Sequence, residues 1–277
     1  MNNIMDGKKV SLLRRKELIE KVAKLNKKLT LVDISIGHDE RTKVYVNQKE
    51  KMAKKIGYDF LNLHYDHIEE KELISKIQEL NKNDSITGII VQLPLPDYLN
   101  KDNIINAINP LKDVDGLTDT NLLKLVKGET GLVPCTPLGI INLLDYYKID
   151  YKNLNVVIVG RSKLVGYPLF NLLLKKNATV TLCHSHTKDL SDYTKQADLL
   201  IVAVGKKELI KKEMIKKNSV LVDVGINSHD GKLYGDIENC LDIPSLVTPV
   251  PGGVGPMTVI TLMENVYLAN ELMCKKM

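Results

Sequence analysis

The chain has 277 residues, 44% of them hydrophobic and 26% charged, with a net charge of +5. That length holds two domains with separate cores, and the composition is that of an ordinary globular protein. Charge throughout the first thirty residues argues against a signal peptide, and no run approaches the roughly 20 apolar residues of a bilayer span, so a cytoplasmic protein without a membrane partner is expected.

Lysine and glutamate are interleaved, as in "KELIKKEMIKK" (207–217), a pattern that predicts the solvated face of a helix. Two phenylalanines and no tryptophan argue against nucleic acid, which calls for basic residues clustered with aromatics. The modest positive field suits anionic small molecules. Cys135, Cys183, Cys240 and Cys274 form no CxxC pair, which predicts reduced thiols and no structural zinc. The histidine pairs in "HYDH" (64–67) and "HSH" (184–186) lack HExxH spacing, and no metal is expected.

In chain order, 15–28 reads as an amphipathic helix and "LTLVDISIG" (29–37) as an apolar strand ending in glycine. A helix over about 43–57, a strand at 59–65 and a helix at 69–82 follow. "ITGIIVQLPLP" (86–96) is a buried strand stopped by prolines, a short helix covers about 101–108, and 109–119 is a turn-rich loop. Near 120 the chain changes character. "PCTPLGIINLLDYY" (134–147) predicts a helix with Thr136 as N-cap and Pro137 at its first position. Strands are expected at 155–160, 178–183, 197–205, 219–227 and 246–250, with a last helix over about 256–274. Alternation of strand and helix predicts parallel sheets with right-handed crossovers. The expected class is α/β in two lobes with a cleft between them: a catalytic domain over 1–119 and a Rossmann-like domain over 120–277, whose last helix packs back on the first.

"YVNQK" (45–49) raises the first chemical question. With a helical step of about 100° and Tyr45 at zero, Lys49 falls at about 40°, Met52 at about 340°, Ala53 at about 80° and Ile56 at about 20°. Lys43, Lys51, Lys54 and Lys55 lie at roughly 160° to 280°, on the wet side. Lys49 therefore sits in the apolar stripe. Two readings stand: a snorkelling lysine with its amine in water, or an amine held in a cleft, where desolvation brings proton exchange nearer neutral pH. Tyr45, one turn earlier, is placed to hydrogen-bond the amine or a substrate.

Gln92 interrupts an apolar strand just before Pro94, at the carboxyl end where open α/β sheets bind ligands; a strand-end bond to backbone is the alternative. Asp115 precedes Gly116 and reads either as a binding group or as a turn residue.

"VVIVGRSKLVGYPL" (156–169) is strand, glycine turn, then helix, with G-x5-G in place of GxGxxG. Gly160 still permits the tight turn, and the following helix N-terminus can face a phosphate. The next strand ends "TLCHSHT", offering Ser185 and no acid for a ribose hydroxyl, while Arg161 stands in the glycine turn. That pocket favours NADP over NAD, with a lobe that binds another nucleotide, or none, as the alternative. "TPVPGGVGPMT" (248–258) is a rigid, backbone-rich loop able to approach a flat ligand closely.

In this order, "YVNQK", "VQLPLP", "KDVDG", "PCTPLGI", "VGRSKLVGYP", "TLCHSHT", "VDVGIN" and "TPVPGGVGPMT" resemble the bifunctional methylenetetrahydrofolate dehydrogenase/methenyltetrahydrofolate cyclohydrolase family, from about residue 37 onward. The resemblance implies NADP-dependent oxidation of 5,10-methylenetetrahydrofolate to the methenyl form, then hydrolysis to 10-formyltetrahydrofolate, in one-carbon supply to purine, methionine and histidine biosynthesis. It makes Tyr45 and Lys49 a catalytic pair tuned by Gln92, with Asp115 holding the pterin. Tyr45, Val91, Gln92, Leu93, Asp115, Pro251, Gly252 and Gly253 become the folate site, and Gly160, Arg161, Ser162, Ser185 and Ile226 the NADP site. Partners are tetrahydrofolate derivatives, with or without a polyglutamate tail, and a second copy in a homodimer. Two departures stand out: Glu40-Arg41-Thr42 where the family has Pro-Ala-Ser, which predicts a differently shaped loop, and Lys207 in place of a frequent proline.

Overall fold

A computed structural model describes residues 3–275, apart from the side chains of Glu40 and Arg41. The chain divides into two units, each α/β with its own parallel sheet. One contains Arg14–Cys135 with Val259–Met277; the other contains the described residues of Met1–Leu13 with Thr136–Thr258.

Helix α1 (Gly7–Val22) starts well before the predicted 15–28, because Asp6 Oδ1 accepts from Lys9 N at 3.0 Å and caps it. In the first unit β1 (Thr30–Ile36), α2 (Glu40–Ile56), β2 (Asp59–Tyr65), α3 (Glu70–Lys82) and β3 (Gly88–Val91) follow one another. The sheet order is β2-β1-β3, all parallel. Val32, Ile34 and Ile89 of the strands pack with Leu73 and Ile77 of α3 to form its core. Burial of that apolar surface is the main stabilising contribution. β3 is much shorter than the predicted 86–96, and the Leu93–Pro94 peptide beyond it is cis.

Helices α4 (Lys101–Asn106) and α5 (Asp119–Lys127) complete this part. The sequence placed one boundary at 119/120, whereas the units divide at 13/14, 135/136 and 258/259. α5 stays with the first unit because Asp113 accepts from Thr118 N at 2.8 Å and from Asn121 Nδ2 at 2.9 Å. Helix α6 (Cys135–Tyr146) begins one residue before the expected cap, and Thr136 Oγ1 instead bonds Thr258 Oγ1 at 3.1 Å.

The second unit runs β4 (Asn155–Val159), α7 (Gly166–Lys175), β5 (Thr179–Cys183), α8 (Leu190–Thr194), β6 (Leu199–Val202) and β7 (Val220–Asp223). A ribbon of β8 (Asn227–His229) and β9 (Lys232–Tyr234), the short β10 (Leu246–Val247) and helix α9 (Val254–Cys274) follow, the last crossing the 258/259 division. The sheet order is β10-β7-β6-β4-β5, all parallel, with the order reversing between β4 and β6. The 207–217 segment is not the helix its charges predicted. Ile210 bridges Ile237, and only Lys212–Met214 makes a turn of 3-10 helix. Ile210 and Ile215 enter the core at a spacing of five, which a helix face does not supply. All four cysteines are free, and among the described residues no helix is long and apolar enough to cross a membrane.

Candidate active site

In α2 the buried positions are Val46, Ala53 and Ile56. By the helical step their centre lies at about 70°, so Lys49 at about 40° belongs to the buried face and Tyr45 stands at its margin. Accordingly the Lys49 side chain is 16% exposed while Tyr45 is 45% exposed. Among the described residues no hydrogen bond joins the two.

The partner of Lys49 is a residue that the sequence reading passed over. Asp33 sits in the middle of β1, 0% exposed, with Oδ2 at 3.6 Å from Lys49 Nζ. Gln92, one residue beyond β3, donates from Nε2 to the same Oδ2 at 2.6 Å. The expected Gln92–Lys49 pair is therefore mediated by a carboxylate. Register brings this about: Gln92 N donates to Ile34 O at 2.8 Å, extending the β1–β3 ladder by one step beside Asp33. Asp33 Oδ1 is buried with no hydrogen-bond partner among the described residues. Burial pushes the Asp33 carboxyl up, against the opposing pull of Lys49 and Gln92. Its sequence signal was a single acid inside a buried strand run, the same anomaly that singled out Gln92.

Asp115 is half-buried, and burial raises its carboxyl too, offset by the Lys49 charge. The turn role that competed for Asp115 belongs to Asp113, which accepts from Leu117 N and Thr118 N. Lys112, at the head of the same "KDVDG", is structural: its Nζ donates to Leu80 O and Asn83 O at 3.1 and 2.7 Å. The segment is fixed by Asn265 of α9, whose Nδ2 donates to Val114 O and Val133 O at 2.8 and 2.9 Å. The Cys135 thiol lies against Asp115 and is pushed well up by burial and by that carboxylate. Val91 packs in the core at 2% exposure, so its side chain is not available to a ligand; Leu93 is half-buried.

In the second unit Gly160, Ser185 and Ile226 stand beyond the carboxyl ends of β4, β5 and β7. Gly160 has φ +117°, and a Cβ there would collide with the carbonyl oxygen of Ala203. Arg161, Ser162, Ser185 and Ile226 are exposed, and Ser162 Oγ accepts from Val165 N at 3.1 Å ahead of α7. A buried acid missed in the sequence supports the loop after β6: Asp236 accepts from Val204 N, Gly205 N and Lys206 N at 2.7, 2.9 and 2.8 Å. Asp236 N and Ile237 N in turn donate to Asp223, each at 2.9 Å. This loop and Gly160 flank the point where strand order reverses, the standard location for a nucleotide in an open α/β sheet. Lys207 lies over the Tyr234 ring at 3.6 Å, which accounts for a cation where a proline was expected. Pro251, Gly252 and Gly253 follow β10 in this unit; Pro251 is exposed, the glycines are buried, and Gly252 O accepts from Lys8 N at 3.1 Å. Glu40-Arg41-Thr42 forms the start of α2, while the side chains of Glu40 and Arg41 lie outside the described residues.

Residues 5–115 match the family model described as tetrahydrofolate dehydrogenase/cyclohydrolase, catalytic domain, and residues 134–274 match its NAD(P)-binding domain. The chain is 45% identical over 279 residues to the bifunctional protein FolD of Halothermothrix orenii, with 98% of this chain and 99% of that one aligned. It is similar in structure to the bifunctional FolD of Campylobacter jejuni, with a TM-score of 0.95, 42% identity and coverage of 97% and 98%. It is also similar to the Trypanosoma brucei methylenetetrahydrofolate dehydrogenase-cyclohydrolase solved with NADP and an inhibitor, with a TM-score of 0.91, 31% identity and 97% of each chain covered.

Proposed function

The chain belongs to the tetrahydrofolate dehydrogenase/cyclohydrolase family, and we propose that the cluster of Lys49, Asp33, Gln92 and Asp115 is where it handles the folate. It is a bifunctional enzyme of one-carbon metabolism: NADP-dependent oxidation of 5,10-methylenetetrahydrofolate gives 5,10-methenyltetrahydrofolate, which is hydrolysed to 10-formyltetrahydrofolate. The observation that carries the site is the Lys49 amine, drawn into the first unit by a wholly buried carboxylate.

The second unit fits NADP. The collision that any Cβ at Gly160 would suffer marks a turn built for close backbone approach, and Arg161 and Ser185 offer a cation and a hydroxyl where NAD enzymes place an acid. Gly160, Arg161, Ser162, Ser185 and Ile226 hold the dinucleotide, which when bound supplies the hydride acceptor.

The chain's own groups do the rest. Asp115 accepts hydrogen bonds from the pterin N–H groups and orients the ring, and Tyr45 and Leu93 border it. Asp33 and Asp115 face one ammonium, and burial opposes the ionisation of both. A cationic methenyl carbon brought into this setting favours the ionised carboxylates and is stabilised by them. Lys49 carries protons between the attacking water and the ring nitrogen that leaves, while Gln92 and Asp33 fix its amine. Val91 contributes through its backbone. We further infer a homodimer that works in the cytoplasm on folates with or without a polyglutamate tail and supplies one-carbon units to purine, methionine and histidine biosynthesis. Support for that reading is the family resemblance and the four free cysteines.

Lys49→Met tests the assignment. Consumption of methenyltetrahydrofolate without NADP is expected to fall by about 100-fold or more, with circular dichroism and NADPH binding retained. Hydrolysis at the wild-type rate in a folded variant would refute it.

A further inference from the structure

Three ligand-bearing side chains outside the folate and nucleotide sites converge on one point of the first unit. Parallel pairing of β1 with β2 aligns Ser35 with His64 and Ile36 with Tyr65, so His38 and Asp66 leave the two strands side by side. Asp66 Oδ1 lies 3.2 Å from His64 Nε2 and 3.5 Å from His38 Nε2. All three ligand atoms lie within 4.8 Å of one another. We propose that His38, His64 and Asp66 form a binding site for a divalent transition ion of the zinc class.

The spacing suits the ion. Tetrahedral zinc with bonds of about 2.0–2.2 Å places its ligand atoms about 3.3–3.5 Å apart. Two edges already have that length, and a rotation of His38, whose side chain is 69% exposed, closes the third. Two imidazoles and a carboxylate make a ligand set for zinc, cobalt or nickel, and the open fourth position takes water.

With an ion on Nε2 the His64 proton would sit on Nδ1, where Ser35 Oγ, at 3.1 Å, is within reach to accept it and hold the ring. His67 is excluded from the set: it bonds Glu69 at 3.2 Å and stacks on Tyr98 at 4.7 Å. The sequence showed only "HYDH", because the third ligand comes from the end of a different strand.

The ion would tie the β1–α2 connection, two residues before the helix that carries Lys49, to the end of β2. The test is titration of the tag-free chain with Zn2+ by calorimetry and with Co2+ by visible absorption. One equivalent is expected to bind saturably with the intense bands of tetrahedral cobalt. His38→Gln and His64→Gln are each expected to weaken it at least about tenfold. His186→Gln, at the other histidine pair, leaves it unchanged. Absence of saturable binding in the wild type, or equal binding by the His38 and His64 variants, overturns the site.

Discussion

Lys49 Nζ stands 3.6 Å from Asp33 Oδ2, and that carboxylate is wholly buried. The pair joins a helix to the middle strand of the sheet and gives the amine a fixed address. Asp33→Asn keeps the shape and removes the charge. Hydrolysis is expected to fall about tenfold or more, since a positioning contact of a proton carrier is lost. The pH profile separates this from a general loss of packing. Burial raises the Asp33 carboxyl, so on acidification it protonates above the ordinary carboxylate range and the ion pair disappears. Wild-type hydrolysis should therefore decline on the acid side in that window, and the variant should be low and flat across it. A variant that keeps the wild-type acid limb would clear Asp33 of the role.

Asn265 positions Asp115 from a distance in sequence. Its amide holds the carbonyl of Val114, the residue just before Asp115, together with that of Val133. Asn265→Ala leaves the Val133 carbonyl unpaired and the Val114 carbonyl with the Cys135 thiol alone, and should cost about 1–3 kcal/mol in denaturant unfolding. The KM for folate should rise in both reactions, as it should in Asp115→Asn, while NADPH affinity stays put. An unchanged folate KM in Asp115→Asn would remove that residue from the site.

Gly160 tests the nucleotide turn. Alanine there meets both a φ of +117° and the Ala203 carbonyl. A loss of at least about 2 kcal/mol in thermal unfolding is expected, with NADPH fluorescence binding weakened more than methenyl hydrolysis. Wild-type NADPH affinity in this variant would show that the turn does not set the cofactor site.

Asp223 makes stability depend on pH with an unusual sign. It is buried, accepts three backbone N–H bonds from Gly225, Asp236 and Ile237, and is nevertheless pushed up to about 6 by desolvation. The unfolded value is near 3.8. Between these limits the folded chain binds more protons than the unfolded one, so the contribution of Asp223 to stability falls as pH rises from about 4 to about 6. The total is about 3 kcal/mol, from a shift of roughly two units. Asp223→Asn does not titrate, and the stability of the wild type relative to the variant, followed by denaturant unfolding, should shrink across this window. A constant difference would mean that Asp223 is ionised throughout.

The sequence by itself determined what is local. Apolar periods located most strands and helices, the helical step placed Lys49 on a buried face, and ordered motifs identified the family. Where local signals competed with packing they failed. The charged 207–217 segment gave up its helix so that Ile210 and Ile215 could enter the core. Tertiary structure alone decided the partnerships. Asp33 looked like one blemish in an apolar strand until register set it beside Gln92 and α2 folded Lys49 over it. Asp113 and Asp115 look alike in "KDVDG", yet it is Asp113 that accepts the backbone N–H groups of the turn. His38 joined His64 and Asp66 only because two strands run parallel. The physical reason is common to all of these: periodicity says which way a side chain faces, whereas a contact between distant residues depends on strand register and helix docking, which the whole core sets together.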